Sequence, residues 1–143
     1  MIITEIDSSA APTTIHELLV DVDAWSVWSP HVASVTTETR RVTPGWSCTT
    51  RAFFSPGSTS MTVDSVRPDG GYSWSSTLGP WRLDYDNIVL PADGGSTLRF
   101  TARLGGPAAG VIERLVAPLS ALGQRRRMAR LARLAELVER HAD

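Results

Sequence analysis

Two side chains in the middle of this sequence carry groups that could act on a bound molecule. Tyr85 and Asn87 alternate with charged residues in a stretch typical of a strand, so both should lie on one face of it. We expect that face to be the inner one, where a phenol and a carboxamide could orient a carbonyl or hydroxyl group of a ligand. The alternative is that both form ordinary hydrogen bonds in a solid core.

Histidine and paired carboxylates are the other side chains considered for proton transfer. His31 follows Pro30 near the expected mouth of a cavity, and it is the one histidine that we consider for acid–base chemistry. Asp84 and Asp86 flank Tyr85 and should therefore face solvent. A shift of one residue in strand register would instead turn both carboxylates inward as an acid–base pair.

Further polar residues are expected to be structural or solvated. Cys48 has no activating neighbour in the sequence, and a buried structural cysteine is the commoner case. The run Arg125–Arg127 should form a solvated helix face, because no aromatic residues accompany it as they would in a nucleic-acid site. We expect His16 to be exposed on the first helix and His141 to lie in the terminal tail.

The composition excludes several classes of cofactor chemistry. All 14 basic residues are arginine, so neither a Schiff base nor lysine-bound pyridoxal phosphate can form. A Walker-type phosphate loop would lack its lysine. No group of histidine, cysteine and acidic residues has metal-ligand spacing. We therefore expect no cofactor and no metal.

Charge and hydropathy bear on partners and compartment. The net charge is −1, which predicts no nucleic-acid partner. No apolar stretch approaches the roughly 20 residues that cross a bilayer, which predicts no membrane insertion. The N-terminus lacks the features of a signal peptide and the single cysteine cannot form an internal disulfide, so we expect a cytoplasmic location. A monomer and a homodimer both stay open.

The hydrophobic periodicity changes along the chain. After a short strand over Ile2–Ile6, Pro12 begins a helix, and Asp23–Trp28 forms a second short helical turn. From about Val32 to Leu104 the period is two, with turn signals rich in glycine, proline and aspartate between the apolar stretches. The strands predicted in this region are Val32–Val42, Ser47–Phe54, Ser60–Arg67, Tyr72–Leu78, Trp81–Leu90 and Thr97–Leu104.

The last strand and the helix after it have the clearest patterns. In Thr97–Leu104 apolar residues alternate with threonine and arginine, which predicts one dry and one wet face. Gly105-Gly106-Pro107 ends the sheet, and the rest of the chain is helical with a kink expected near Pro118. Its apolar residues recur at spacings of three, four and six, and we assign to one broad face Val111, Leu115, Leu119, Leu122, Met128, Leu131, Leu134 and Val138.

A sheet with one apolar face and a single long amphipathic helix must bury these surfaces against each other. This element order and the run Asp21-Val22-Asp23-Ala24-Trp25-Ser26-Val27-Trp28-Ser29-Pro30 resemble the START-like (SRPBCC, helix-grip) superfamily, most closely its bacterial polyketide cyclase/dehydrase branch. The turn Asp93–Thr97 and the leucine-rich last helix agree with this resemblance. It implies one α+β domain over residues 1–143, with a curved antiparallel sheet of about seven strands wrapped around a long C-terminal helix and two short helices after the first strand.

A cavity between sheet and helix would be lined by the inward residues of the strands. Ligand sites are usually apolar with a few placed polar groups, and the alternative is a core without a void. The candidate ligand-binding residues are Trp28, Met61, Val63, Trp74, Ser76, Leu83, Tyr85, Asn87, Phe100 and Ala102, closed from the helix by Leu115 and Leu119.

Three functions are compatible with these residues. The first is binding of an apolar small molecule such as a polyketide, lipid or isoprenoid. The second is a cyclase, aromatase or dehydratase of poly-β-keto substrates, in which Tyr85, Asn87 or His31 polarises carbonyls or moves protons. The third is a protein-interaction module, co-chaperone-like or toxin-like, with an exposed apolar patch or a lip formed by Trp25 and Trp28. The lack of lysine and of a metal cluster favours binding over catalysis.

Overall fold

Alternating strands and one long helix dominate the computed structural model, which describes residues 1–29, 32–52 and 58–142, with the backbone alone for 32–34, 52 and 58. Two short helices and a 3-10 turn follow the first strand. The elements are β1 (Ile2–Ser8), α1 (Pro12–Val20), the 3-10 turn (Val22–Ala24), α2 (Trp25–Trp28), β2 (Val32–Thr36), β3 (Ser47–Ala52), β4 (Ser58–Arg67), β5 (Gly71–Leu78), β6 (Trp81–Ala92), β7 (Gly95–Gly105) and α3 (Ala109–Arg140).

The strands form one antiparallel sheet in the order β1-β7-β6-β5-β4-β3-β2. Consecutive strands from β2 to β7 are neighbours, and β1 forms the edge of the sheet beside β7. The sheet curves around α3, which contacts β1 and β7 as well as α1 and α2. The α+β helix-grip arrangement predicted from the sequence is thereby confirmed. The second strand ends at Thr36, six residues before the predicted Val42.

The register of the central strands follows the alternation in β7. Leu98 and Phe100 are buried and pair with Val89 and Asn87, and Ala102 pairs with Tyr85. Side chains at paired positions share a face of the sheet, so the inner face of β6 carries its odd-numbered residues from 83 to 89.

The carboxylates of β6 lie on the opposite, outer face. Asp84 accepts a hydrogen bond from Arg82 at 2.9 Å, and Asp86 accepts from Arg67 at 2.6 Å. The solvent-facing register predicted for this pair is therefore confirmed, and the inward acid–base pair is not formed.

The C-terminal half of α3 closes one end of the molecule. Met128, Leu131 and Ala135 are fully buried, in one cluster with Ile15 and Leu19 of α1. Carboxylates of the same half hold the loop between β1 and α1. Glu136 accepts hydrogen bonds from the Ser8 hydroxyl at 2.8 Å and the Ser9 amide at 3.3 Å, and Glu139 accepts from the Ala11 amide at 2.7 Å. We call α1 with this half of α3 the closed end.

The N-terminal half of α3 contradicts the predicted apolar face. Leu115 and Leu119 are 75% and 77% exposed, and Val111 and Leu122 are exposed as well. An α-helix turns by about 100° per residue, so the six steps from Leu122 to Met128 leave the two side chains about 120° apart around the helix axis. The two runs of apolar residues therefore lie on different faces. The helix itself continues through Pro118, from Ala109 to Arg140.

No helix in the described part of the chain is both long enough and apolar enough to cross a bilayer.

Candidate functional site

Two cavities lie on the inner face of the sheet. The first, of about 330 Å³, is almost entirely apolar. Leu83, Tyr85 and Ala102 line it from the sheet, and Ile112 and Val116 line it from α3. Its position in the fold follows from the exposed orientation of Leu115 and Leu119, because Ile112 and Val116 face the sheet in their place. We call it the apolar cavity.

The second cavity, of about 210 Å³, mixes aromatic and polar side chains. Its aromatic lining comes from α2, β5 and β6, and its polar groups come from α3, from the residue after α2 and from strands β3 to β6. The residues used below are Trp28, Tyr72, Trp74, Tyr85, Asn87, Gln124 and Arg127. Because Tyr85 lines both cavities, the two meet at its side chain. We call this one the polar cavity.

A stacked aromatic pair forms part of the wall. Trp74 and Tyr85 are paired across β5 and β6, and their rings stack with centroids 4.1 Å apart at an interplanar angle of 11°. The stack fixes the orientation of the Tyr85 ring. The Tyr85 hydroxyl is thus a hydrogen-bond donor whose direction is fixed by the packing of its ring.

The phenols of this region are donors rather than bases. Burial raises the pKa of Tyr72, opposed by the charge of Arg127 and by a hydrogen bond with Asn87. Burial also raises the pKa of Tyr85, again opposed by Arg127. Both hydroxyls therefore keep their protons near neutral pH, and each can polarise a ligand oxygen.

Gly71 places Tyr72 beside the polar cavity. Its φ of +83° is open to glycine and strained for other residues, and a Cβ at this position would collide with the carbonyl oxygen of Asn87. The Gly71 amide donates to His16 Nδ1 at 3.0 Å. His16 is only 7% exposed, so our expectation of an exposed histidine was wrong. Its ring ties α1 to the start of β5, and burial lowers its pKa.

Arg127 contradicts the predicted solvated face of the arginine run. Its Nε donates to the Ser29 hydroxyl at 3.0 Å and its Nη1 to Gln124 Oε1 at 3.0 Å. The guanidinium carbon lies 5.4 Å from the centre of the Trp28 ring, within cation–π range. Arg125 and Arg126 are exposed as expected. One arginine of the three therefore enters the polar cavity.

The structure divides the predicted lining residues into groups. Around the polar cavity lie Trp28, Met61, Trp74, Tyr85 and Asn87, and around the apolar cavity lie Leu83, Tyr85 and Ala102. Val63 and Phe100 are 1% exposed and Ser76 is 5% exposed; these three belong to the core and line neither cavity. The Ser76 hydroxyl donates to the Ser60 carbonyl at 2.6 Å.

Two helix residues and one histidine complete the comparison with the predicted set. Leu115 and Leu119 line neither of these two cavities, because they lie on the outer side of α3. His31 lies outside the described residues.

One group of lining residues that sequence reasoning missed lies on α3. Ile112, Val116, Ser120, Gln124 and Arg127 recur at spacings of three and four. Counting backward in steps of three and four from the buried Leu131 would have found them. Tyr72 was predicted as the start of a strand without a role in the site.

Metal and thiol chemistry find no support within residues 1–29, 32–52 and 58–142. No group of three histidine, cysteine or acidic residues in these ranges could hold a metal ion. Cys48 is buried, and burial raises the pKa of its thiol to about 11. The structural role expected for Cys48 agrees with a thiol that stays protonated.

Comparison with known sequences gives one family match. Residues 2–139 match the family model described as polyketide cyclase / dehydrase and lipid transport. A search among curated proteins gives no match.

Comparison with solved structures gives many similar folds. Protein CV1439 from Chromobacterium violaceum has a TM-score of 0.71 at 18% identity, over 94% of this chain and 96% of that one. A norcoclaurine synthase point mutant from Thalictrum, in complex with a transition-state analogue, has a TM-score of 0.73 at 13% identity, over 99% and 95%. DynU16, from the dynemicin biosynthetic locus, has a TM-score of 0.70 at 18% identity over 94% of this chain and 46% of that one. These likenesses show the fold.

Proposed function

This chain belongs to the polyketide cyclase/dehydrase and lipid transport family, and from that premise we propose that it binds one largely apolar small molecule across its two cavities. The observation that carries the proposal is the pair of cavities that meet at Tyr85. A polyketide, lipid or isoprenoid has the required chemistry, since it joins an apolar body to a few oxygen atoms. Burying that body would supply roughly 25 cal/mol for each Å² removed from water.

The apolar cavity accounts for affinity in this proposal. Its exposed wall is largely apolar, with aliphatic side chains and the rings of Trp81 and Tyr85. The polar cavity accounts for orientation, because it presents the two phenols and Asn87 to the polar end of the ligand. This division of roles is typical of small-molecule sites.

A matched pair of tryptophan substitutions on α3 tests the location of binding. Val116 faces the apolar cavity, and Leu119 lies on the outer side of the same helix. We expect Val116→Trp to weaken binding of the neutral fluorophore N-phenyl-1-naphthylamine by about tenfold, a change of ~1.4 kcal/mol. Leu119→Trp should leave its affinity unchanged. Equal effects of the two substitutions, or no binding to the unmodified protein, would contradict the proposal.

A catalytic role is the second candidate, and the two protonated phenols beside Arg127 favour it. These groups could polarise carbonyl groups of a poly-β-keto chain held in the cavities and so promote its cyclisation. In that case Tyr85→Phe should lower turnover of such a substrate far more than its affinity. Unchanged turnover would remove Tyr85 from any such mechanism.

A further inference from the structure

Arg127 is a cation without an anionic partner in the part of the chain that the structure describes. Its hydrogen bonds there go to a hydroxyl and an amide, those of Ser29 and Gln124, and none of the ion pairs involves it. Outside the described ranges the sequence contains one acidic residue, Asp143. Two of the five guanidinium N–H donors are thus used, and the others are left for a ligand.

The surroundings of Arg127 reinforce its positive charge. No acidic side chain lines the polar cavity among the described residues. The indole nitrogen of Trp28 is buried and has no hydrogen-bond partner in that part of the structure, although the residue is only 2% exposed. The protonated phenols add further donors. The cavity thus combines one guanidinium with neutral N–H and O–H donors and no carboxylate among the described residues, and burying an unpaired cation is costly until an anion joins it.

The adjoining apolar cavity restricts what such an anion can be. A free inorganic anion would fill the polar cavity and leave about 330 Å³ of apolar space beside Tyr85 empty. A neutral apolar molecule would fill that space and leave the guanidinium unpaired. An amphiphile with an apolar body and one oxygen anion satisfies both cavities.

We propose, on the basis of the binding function above, that Arg127 binds a carboxylate or enolate oxygen of the ligand, with the Trp28 indole as a second donor and the apolar body lying beyond Tyr85. Buried pairs between a guanidinium and an oxygen anion are strong hydrogen bonds and are little screened by salt. Burial lowers the pKa of Arg127. The ordinary pKa of arginine is so high that the group still stays charged near neutral pH.

The test uses two probes that differ in one functional group, 2-naphthoate and 2-naphthalenemethanol. Calorimetric titration of the unmodified protein near neutral pH should give at least about tenfold tighter binding of the carboxylate. Arg127→Met should remove this preference and leave the affinity for the alcohol within about twofold. Arg126→Met removes the same charge from the exposed side of the helix and should preserve the preference.

The outcomes separate this inference from the binding function. If neither probe binds, the binding function itself fails. If both probes bind the unmodified protein equally, the anion site is refuted and the binding function stands, and this result needs no variant to fold. If Arg126→Met reduces the preference as much as Arg127→Met, general attraction to a basic helix explains it and the anion site is refuted. If Arg127 only braces α2 against α3, Arg127→Met will lower the melting temperature and leave the probe preference intact, which also refutes the site.

Discussion

In its second half the long helix buries Met128, Leu131 and Ala135 completely, whereas the leucines of its first half, up to Leu122, are exposed. Both halves belong to one unbroken helix lying against one sheet. The second half packs against α1 and fixes the closed end. The first half faces the sheet with Ile112 and Val116, and the space between them and the sheet is the apolar cavity.

This difference shows that a cavity can arise because a helix turns its large apolar side chains away from the sheet, and not only because the sequence lacks such side chains. Apolar side chains large enough to fill the void exist in the first half, and they point away from it. The outward orientation leaves an apolar stripe on the surface, the kind of feature that an interaction module would use. The polar attachment of this half is Glu113, which accepts from the Leu104 amide at 2.8 Å and from the Met1 amine at 2.9 Å.

The largest expected effect compares one leucine from each half of α3. Leu131 is fully buried and Leu119 is 77% exposed. We expect Leu131→Ala to lower the free energy of unfolding by about 2–5 kcal/mol, because it leaves a cavity in the closed end. Leu119→Ala should change it by less than about 0.5 kcal/mol. Urea unfolding monitored by tryptophan fluorescence measures both. Similar losses in the two variants would show that the first half is packed after all.

A smaller effect should follow from loosening the first half alone. Glu113→Ala removes the carboxylate that holds the Leu104 amide and the Met1 amine. We expect faster hydrogen exchange of the amides in residues 112–122 and unchanged exchange in residues 128–135, with a global cost of at most about 1 kcal/mol. Leu119→Ala serves as the control. Uniform acceleration along the helix would mean that its halves unfold as one unit.

The smallest effect concerns pH and the closed end. Burial lowers the pKa of His16, against the raising influence of Asp69 and Glu17, with a smaller lowering contribution from Arg41. The unfolded state therefore binds the proton more readily, so the stability should fall as pH drops through about 6.5, the ordinary histidine value. His16→Asn keeps an acceptor for the Gly71 amide without titrating, and should flatten this dependence in melting curves. His141→Asn is the matched control; if it flattens the curve equally, His16 is not the cause.

Much of the fold could be predicted because local signals agree with the tertiary arrangement. The alternation in Thr97–Leu104 fixed the dry face of β7, and pairing transferred it to Tyr85 and Asn87 of the neighbouring strand. The glycine- and proline-rich turns separated most strands within a few residues of their observed ends. These features depend on short-range chemistry that a sequence displays directly.

The site could be predicted only in part, because it depends on which side of a helix meets the sheet. The spacing of the apolar residues of α3 suggested that they share one face of the helix. In the structure those up to Leu122 lie on one face and those from Met128 onward lie on another. The same change of face concealed Arg127, which lies four residues before the buried Leu131 and therefore on its side of the helix. His16 likewise depended on a contact with Gly71, 55 positions away along the chain.

Gly71 has a consequence for how proteins of this kind can diverge. One backbone position both donates to His16 of the closed end and passes close to the Asn87 carbonyl beside the polar cavity. Any side chain there would separate β5 from β6, so we expect natural variants to retain glycine at position 71. Cavity residues such as Leu83, Ala102 and Val116 carry no such constraint. Under the proposed binding function, we therefore expect ligand preference to change by single substitutions in the cavities while Gly71 stays the same.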